Sequence, residues 1–272
     1  MPEIRHVDAN GLRFAYLEEG RGPLVLLFHG FPDTARSWDA IRPQIAAKGY
    51  RAVSPWTRGY APTQIPDRDA DLETLARDQL ALITALGAES AIVIAHDWGA
   101  AAAYAAASLE PERISKLVTI GIPHPATLRP SPIKVWRVRH FFAYKRRGAA
   151  RRFARDDFAA LPAICKRWSP TWAPADDEFT AVRESFSDPA SLDAAMGYYR
   201  ELRFRPQKFL RTKISVPTVV FSGADDPIAT LSDYNRASRM FTADYTVEQI
   251  PGGHFMHREH PTDFAAKLLP HL

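Results

Sequence analysis

The stretch Ala91-Ile-Val-Ile-Ala95, followed by His96-Asp97-Trp98-Gly99 and an alanine-rich run to Leu109, constrains this chain more than any other. An apolar run of this length suits a strand buried on both faces. The small residues after Gly99 suit a helix lying close against the sheet. Asp97 stands at the junction, with Ala95 two positions before it and Gly99 two positions after. Small residues flank such a position because a sharp strand-to-helix turn leaves no room for larger ones, and the turn lifts the central side chain to the top of the sheet. A helix N-cap is the competing role for an Asp at this place, and the junction alone leaves both open.

The same alternation runs through the N-terminal half. Asn10-Gly11 between Ile4–Val7 and Leu12–Leu17 is a hairpin signal. Leu24–Phe28 reads as a second buried strand, Ser37–Lys48 as a helix stopped by Gly49, and Arg51–Ser54 as the next strand. A helix over Asp71–Leu86 has an Asp cap and a Gly87 stop, the alanine-rich helix covers Gly99–Leu109, and Leu117–Ile122 is a further strand. The fold class expected is α/β, a mostly parallel sheet with helices on both faces. Between 125 and 213 the pattern is helical without a convincing strand. The alternation then resumes with a strand over Thr218–Ser222, a helix near Asp233–Phe241, a strand near Tyr245–Ile250 and a last helix from Pro261. The economical division is a core formed by 1–124 and 214–272, with a helical cap, 125–213, inserted in it.

At 272 residues and 46% hydrophobic, the chain is long enough for one such core with one insertion. No leader-like apolar segment opens it, and no apolar run approaches membrane-spanning length. The lone Cys165 fits a reduced structural thiol. These features predict a soluble cytoplasmic protein with no membrane partner, and they leave a homo-oligomer open. Residues 126–213 hold 19 Lys/Arg against 9 Asp/Glu, while the rest hold 16 against 22. The run Lys145–Arg155 suits the solvated face of a helix better than a nucleic-acid surface, so no nucleic-acid partner is expected.

Two more residues complete a constellation with Asp97. The strand Thr218–Ser222 is followed by Gly223-Ala-Asp225-Asp226, and the strand Tyr245–Ile250 by Pro251-Gly-Gly-His254. Nucleophile, acid and histidine then occur in the order 97, 226, 254, each at the carboxyl end of a strand, where open α/β sheets place their sites. Asp225 is the rival to Asp226 as the acid. A fourth motif, His29-Gly30-Phe31-Pro32-Asp33, follows the strand ending at Phe28.

With these motifs the sequence resembles the epoxide hydrolase branch of the α/β-hydrolase superfamily, over essentially its whole length. The resemblance implies the α/β-hydrolase fold with an inserted lid, and an oxyanion hole made by the backbone N–H groups of Phe31 and Trp98. It further implies two lid tyrosines that polarise the epoxide oxygen. Tyr198-Tyr199-Arg200 is similar to the family's Trp-Tyr-Arg lid motif and places one at Tyr199. The other falls in Phe141-Phe142-Ala143-Tyr144, where Tyr144 is the choice, although Lys145 and Arg147 replace the usual Gln and Pro. Trp56–Thr63 also departs from the family's pattern, and Arg58 within it reads as structural. Other lid aromatics, Trp136, Phe141, Trp168 and Trp172, are candidates for an apolar pocket or for lid core.

A carboxylate is ionised near neutral pH and attacks alkyl carbon without a general base. The expected reaction is hydrolysis of a small apolar epoxide to a vicinal diol through an alkyl ester on Asp97. Tyr144 and Tyr199 would act on the epoxide oxygen, and His254 and Asp226 would drive hydrolysis of the ester, with no cofactor or metal. The alternative is a haloalkane dehalogenase using the same Asp-His-Asp triad. Trp98 fits both families, but dehalogenases of this type often carry Asn where this chain has Phe31. A serine-type esterase is set aside because position 97 is not Ser. A non-catalytic binding protein on this scaffold is argued against by the intact Asp97, Asp226 and His254.

Overall fold

The computed structural model describes residues 2–129, 131–203 and 207–272. Pro130 and residues 204–206, within the expected helical insertion, lie outside the described residues. One eight-stranded sheet runs through the molecule. Its strands are β1 (Arg5–Ala9), β2 (Leu12–Glu19), β3 (Leu24–Phe28), β4 (Arg51–Pro55), β5 (Ala91–His96), β6 (Ile114–Ile120), β7 (Thr218–Gly223) and β8 (Tyr245–Ile250). Their spatial order is β1-β2-β4-β3-β5-β6-β7-β8. β1–β2 and β2–β4 pair antiparallel, and every later pair is parallel. Asn10 and Gly11, both at positive φ, turn β1 into β2 as the sequence predicts.

Period-two alternation divides the apolar strands between two cores. Leu24, Leu26 and Phe28 of β3, with Val93 and Ala95 of β5, pack under the helices Leu72–Ala85 and Trp98–Leu109. Val25, Leu27, Ile92 and Ile94 point the other way, against Trp38, Ile41, Ile45, Phe264 and Leu268. Both faces are therefore dry, which is why these strands read as unbroken apolar runs. Among the described residues no helix is long and apolar enough to cross a membrane.

Two boundaries differ from the sequence reading. Ser37–Lys48 is not one helix but a 3₁₀ turn, Ala35–Trp38, and a short helix, Arg42–Ala47. The chain breaks there because Pro43 can stand in the first turn of a helix but not in its interior, so the helix restarts at Arg42, whose fully buried guanidinium holds Asp39, Glu19 and Ser54. β6 starts at Ile114 and ends at Ile120, since Gly121 turns out of the sheet at φ 82°.

Between β6 and β7 the described residues form helices and short helical turns and no strand longer than an isolated bridge. The helix Pro189–Glu201 is tied to the core at several points. Arg200 forms a bidentate pair with Asp69 at 2.6 Å for both bonds, and Ser191 Oγ donates to the Gly59 carbonyl. The Tyr198 hydroxyl donates to the Arg58 carbonyl. Lys145 Nζ donates to the carbonyls of Arg200 and Leu202 at the carboxyl end of this helix, where a cation is favourable. Arg58 is structural, as expected: its guanidinium grips Asp78 through bonds of 2.7 and 2.6 Å in a buried pair.

Candidate active site

Asp97 lies between β5 and the helix Trp98–Leu109 at φ 49°, ψ −117°. A non-glycine residue in such a conformation costs on the order of 1–3 kcal/mol, which the surroundings must supply. They do so through the Asp97 N–H bond to the Ile120 carbonyl and the Ala101 N–H bond back to the Asp97 carbonyl. The side chain makes no cap hydrogen bond to its helix, so the N-cap reading does not describe this residue. Glycines clear the space around it. A Cβ on Gly30 would fall 2.3 Å from the Asp97 Cβ, and one on Gly99 would fall 2.7 Å from the His29 carbonyl oxygen.

The structure brings the three residues of the constellation together. His254 Nε2 lies 3.3 Å from Asp97 Oδ2, and His254 Nδ1 lies 3.2 Å from Asp226 Oδ2. Asp226 is itself held by the Ile228 N–H on Oδ1 at 2.6 Å. Asp225, the rival acid, is exposed. Burial lowers the affinity of His254 for its proton, but the Asp226 carboxylate, followed by Asp97, more than offsets this and raises its pKa to about 10. Burial likewise pushes Asp97 up, yet the His254 contact, His96 and the Phe31 N–H outweigh it and the net shift is downward. The resting state is thus an imidazolium between two carboxylates.

The loop after β3 brings the first of the two expected oxyanion donors to the carboxylate: the Phe31 N–H reaches Asp97 Oδ1 at 2.9 Å. The Trp98 N–H, the second expected donor, forms no hydrogen bond to the carboxylate. His29 shapes this loop. Its Nε2 accepts the Thr57 N–H at 3.0 Å, so its proton sits on Nδ1 and is donated to the Gly30 carbonyl at 2.9 Å. Burial holds this ring neutral, with a pKa lowered to about 4.

Both candidate tyrosines stand in the aromatic cage over Asp97. The Tyr144 and Tyr199 rings are 5.0 Å apart at 74°, each is 5.4 Å from the Phe31 ring, and Tyr199 is 5.1 Å from Trp98. Burial pushes both phenols upward from their ordinary pKa, and the nearby Asp97 charge reinforces this for Tyr199, so both remain O–H donors. Adjacent residues Tyr198 and Tyr199 sit roughly 100° apart on their helix, and only the second faces Asp97. Phe141 joins the cage 5.3 Å from Tyr199, and Trp168 packs edge-on 5.5 Å from His254. Trp172 lies farther out, against Phe255. Trp136 stands outside the lid core: it is 59% exposed, under the Arg139 guanidinium.

Sequence reasoning missed His140, which is buried 5.5 Å from the Tyr144 ring and 4.7 Å from Trp168. Its spacing of four from Tyr144 was the available signal. His96 and His257, both buried behind His254, were missed as well.

Comparison with known proteins agrees with this geometry. A family profile described as the alpha/beta hydrolase fold matches residues 23–261. The chain is 28% identical to a Mycobacterium tuberculosis protein named epoxide hydrolase A, over 100% of this chain and 97% of that one. It is 30% identical to the AB hydrolase superfamily protein YfhM of Bacillus subtilis, over 99% and 98% of the two chains. The crystal structure of epoxide hydrolase A from Mycobacterium thermoresistibile superimposes with a TM-score of 0.81 at 26% identity, covering 100% of this chain and 98% of that one. By fold, profile and length of match, this chain belongs to the α/β-hydrolase family.

Proposed function

We propose that the protein is an epoxide hydrolase that opens its substrate by attack of Asp97 and releases a vicinal diol. The observation that carries the reading is an ionised carboxylate at a strained elbow, contacting an imidazolium on one oxygen and a backbone donor on the other, beside the buried phenol of Tyr199 and the half-buried phenol of Tyr144. The relatives named epoxide hydrolases support it.

Asp97 Oδ2 attacks one carbon of the epoxide, the ring C–O bond breaks, and Tyr144 and Tyr199 donate to the oxygen that leaves. One phenol supplies the proton. Oδ1, already on the Phe31 N–H, becomes the carbonyl oxygen of the ester. Esterification removes the Asp97 charge and with it one of the two anions that hold the His254 proton. The pKa of His254 then falls, its extra proton passes back to the phenolate so that phenol and imidazole are both neutral, and Asp226 keeps the ring aligned as the neutral imidazole takes a proton from water. The hydroxide adds to the ester carbonyl, and the oxyanion on Oδ1 is met by the Phe31 N–H and, after a small rotation, by the Trp98 N–H. Collapse returns the Asp97 carboxylate and releases the diol. Asp226 serves as the acid of the triad. Residues 125–213 serve as the cap that excludes water from the first step, and the aromatic cage selects small apolar epoxides.

The deciding experiment is product analysis with a styrene-oxide-type epoxide beside a 1-haloalkane. Diol from the epoxide and no halide from the haloalkane is expected; halide release without diol would make the protein a dehalogenase.

A further inference from the structure

Behind His254, on the side away from the aromatic cage, three side chains from separate parts of the chain converge: Asp33 after β3, His96 at the end of β5, and His257 three residues beyond His254. All three are buried, and one ligand atom from each lies within 4.8 Å of the others. Their polar atoms are conspicuously unused. Among the described residues, Asp33 Oδ2, His96 Nδ1 and both ring nitrogens of His257 have no hydrogen-bond partner. Such groups are rarely left unpaired in a folded interior, because each forfeits hydration without replacement.

The remaining atoms of the cluster are used in a way that leaves lone pairs facing inward. His96 Nε2 donates to the His254 carbonyl at 3.0 Å, which puts its proton there and leaves Nδ1 as a free acceptor. Asp33 Oδ1 takes the Thr34 N–H and Arg258, so Oδ2 is the spare oxygen. The Trp38 indole lies 4.8 Å from the His257 ring and tilts 31° from it, fixing its plane.

The cluster is connected to solvent. Asp33 and His257 line the inner wall of a groove of about 540 Å³ between the core and the helical turn Asp176–Phe179. That groove carries five carboxylates, those of Asp33, Asp39, Asp177, Glu178 and Glu184, against the two arginines Arg36 and Arg258. Its field attracts cations.

The geometry points to a second site in this protein, in which Asp33 Oδ2, His96 Nδ1 and a ring nitrogen of His257 bind one divalent transition ion of the zinc class, with the groove as entry path. Two imidazoles and a carboxylate suit Zn²⁺, Co²⁺ or Ni²⁺ far better than Mg²⁺ or Ca²⁺. Ligand atoms around tetrahedral zinc are roughly 3.3 Å apart, so closing the cluster takes side-chain shifts of about 1 Å. A water from the groove fills the fourth position. The ion is separated from His254 by the His96 ring, whose centroid is 4.9 Å from that of His254.

The test uses the full chain stripped with a chelator and then titrated with Co²⁺, read by visible ligand-field absorption, with Zn²⁺ competition and metal content measured after gel filtration. The expected result is one ion per chain, with half-saturation at about 10 µM free metal or below. The bands should be abolished by Zn²⁺ and lost in His257→Gln and in Asp33→Asn. They should persist in the double variant His260→Gln, His271→Gln, which removes half-exposed histidines outside the cluster. X-ray absorption on the Zn²⁺ form of the unmodified chain should show two imidazoles, an arm that stands even where a variant does not fold. Substoichiometric metal in the unmodified chain, or bands that survive His257→Gln and Asp33→Asn, would overturn the proposal.

Discussion

Removing the two phenol hydroxyls tests the division of labour in the site most sharply. Tyr199→Phe and Tyr144→Phe keep every ring of the cage, with ring centroids 5.0–5.4 Å apart. The cost to folding should therefore stay within about 1 kcal/mol. The cost to epoxide opening should be larger, because an alkoxide forming in a buried aromatic cage has no water to turn to. A preorganised donor to developing negative charge is worth roughly 2.7–4 kcal/mol, or about 10²–10³ in rate. Each single variant leaves one donor that partly covers for the other, so each should lose about 10-fold to 100-fold in kcat/KM, and the double variant at least about 10⁴-fold. Diol formation is followed with a styrene-oxide-type substrate, and the first step separately by the change in tryptophan fluorescence during ester formation. A double variant that retains more than about a tenth of wild-type kcat/KM would refute the assignment of both phenols; full activity in Tyr144→Phe alone would refute that one.

Three further perturbations follow from the geometry. Gly121→Ala places a Cβ 2.9 Å from His254 Cε1 at a backbone φ of 82°; ester hydrolysis should slow by more than about 10-fold while ester formation changes little, as read by stopped-flow burst and steady-state phases. Arg58→Ala strands the buried Asp78 carboxylate and should cost about 3–5 kcal/mol in denaturant unfolding, with Arg58→Lys recovering only part of it. The His254 proton, held with a pKa of about 10 against the ordinary 6.5, stabilises the fold fully below about pH 6.5, and that contribution is lost as pH rises through 10. Thermal unfolding should show this alkaline loss in the parent chain and much less of it in Asp226→Asn.

Legibility from sequence followed the range of the interactions involved. Where a feature depends on the chain's own neighbours, it could be read directly: the all-apolar β3 and β5, the Asn10-Gly11 turn, and the small residues that admit Asp97 to its elbow. Chain order alone placed His254 and Asp226 on one site, because parallel strands deliver their carboxyl ends to one edge. The sequence favoured Asp226 and kept Asp225 as its rival; the coordinates put Asp226 Oδ2 3.2 Å from His254 Nδ1 and leave Asp225 exposed. Helical periodicity misjudged Ser37–Lys48 because it passed over Pro43, which begins a helix rather than continuing one. It was equally silent on Trp136, whose neighbours were too few to bury it. The cluster of Asp33, His96 and His257 could not be seen in sequence: each member sits beside a motif residue that accounts for the local pattern, and only the fold unites them.

The central claim is that Asp97 forms a covalent ester, and a single turnover in heavy-oxygen water tests it most directly. With enzyme in excess over epoxide, the oxygen added to the diol should come from the Asp97 carboxylate. The first diol should therefore be unlabelled, and the label should appear by mass spectrometry in the peptide containing Asp97, reaching product only in later turnovers. His254→Gln should stop at the ester and gain the mass of one substrate molecule. Heavy oxygen in the first-turnover diol, with none in the peptide, would mean direct attack by water and would recast Asp97 as a general base.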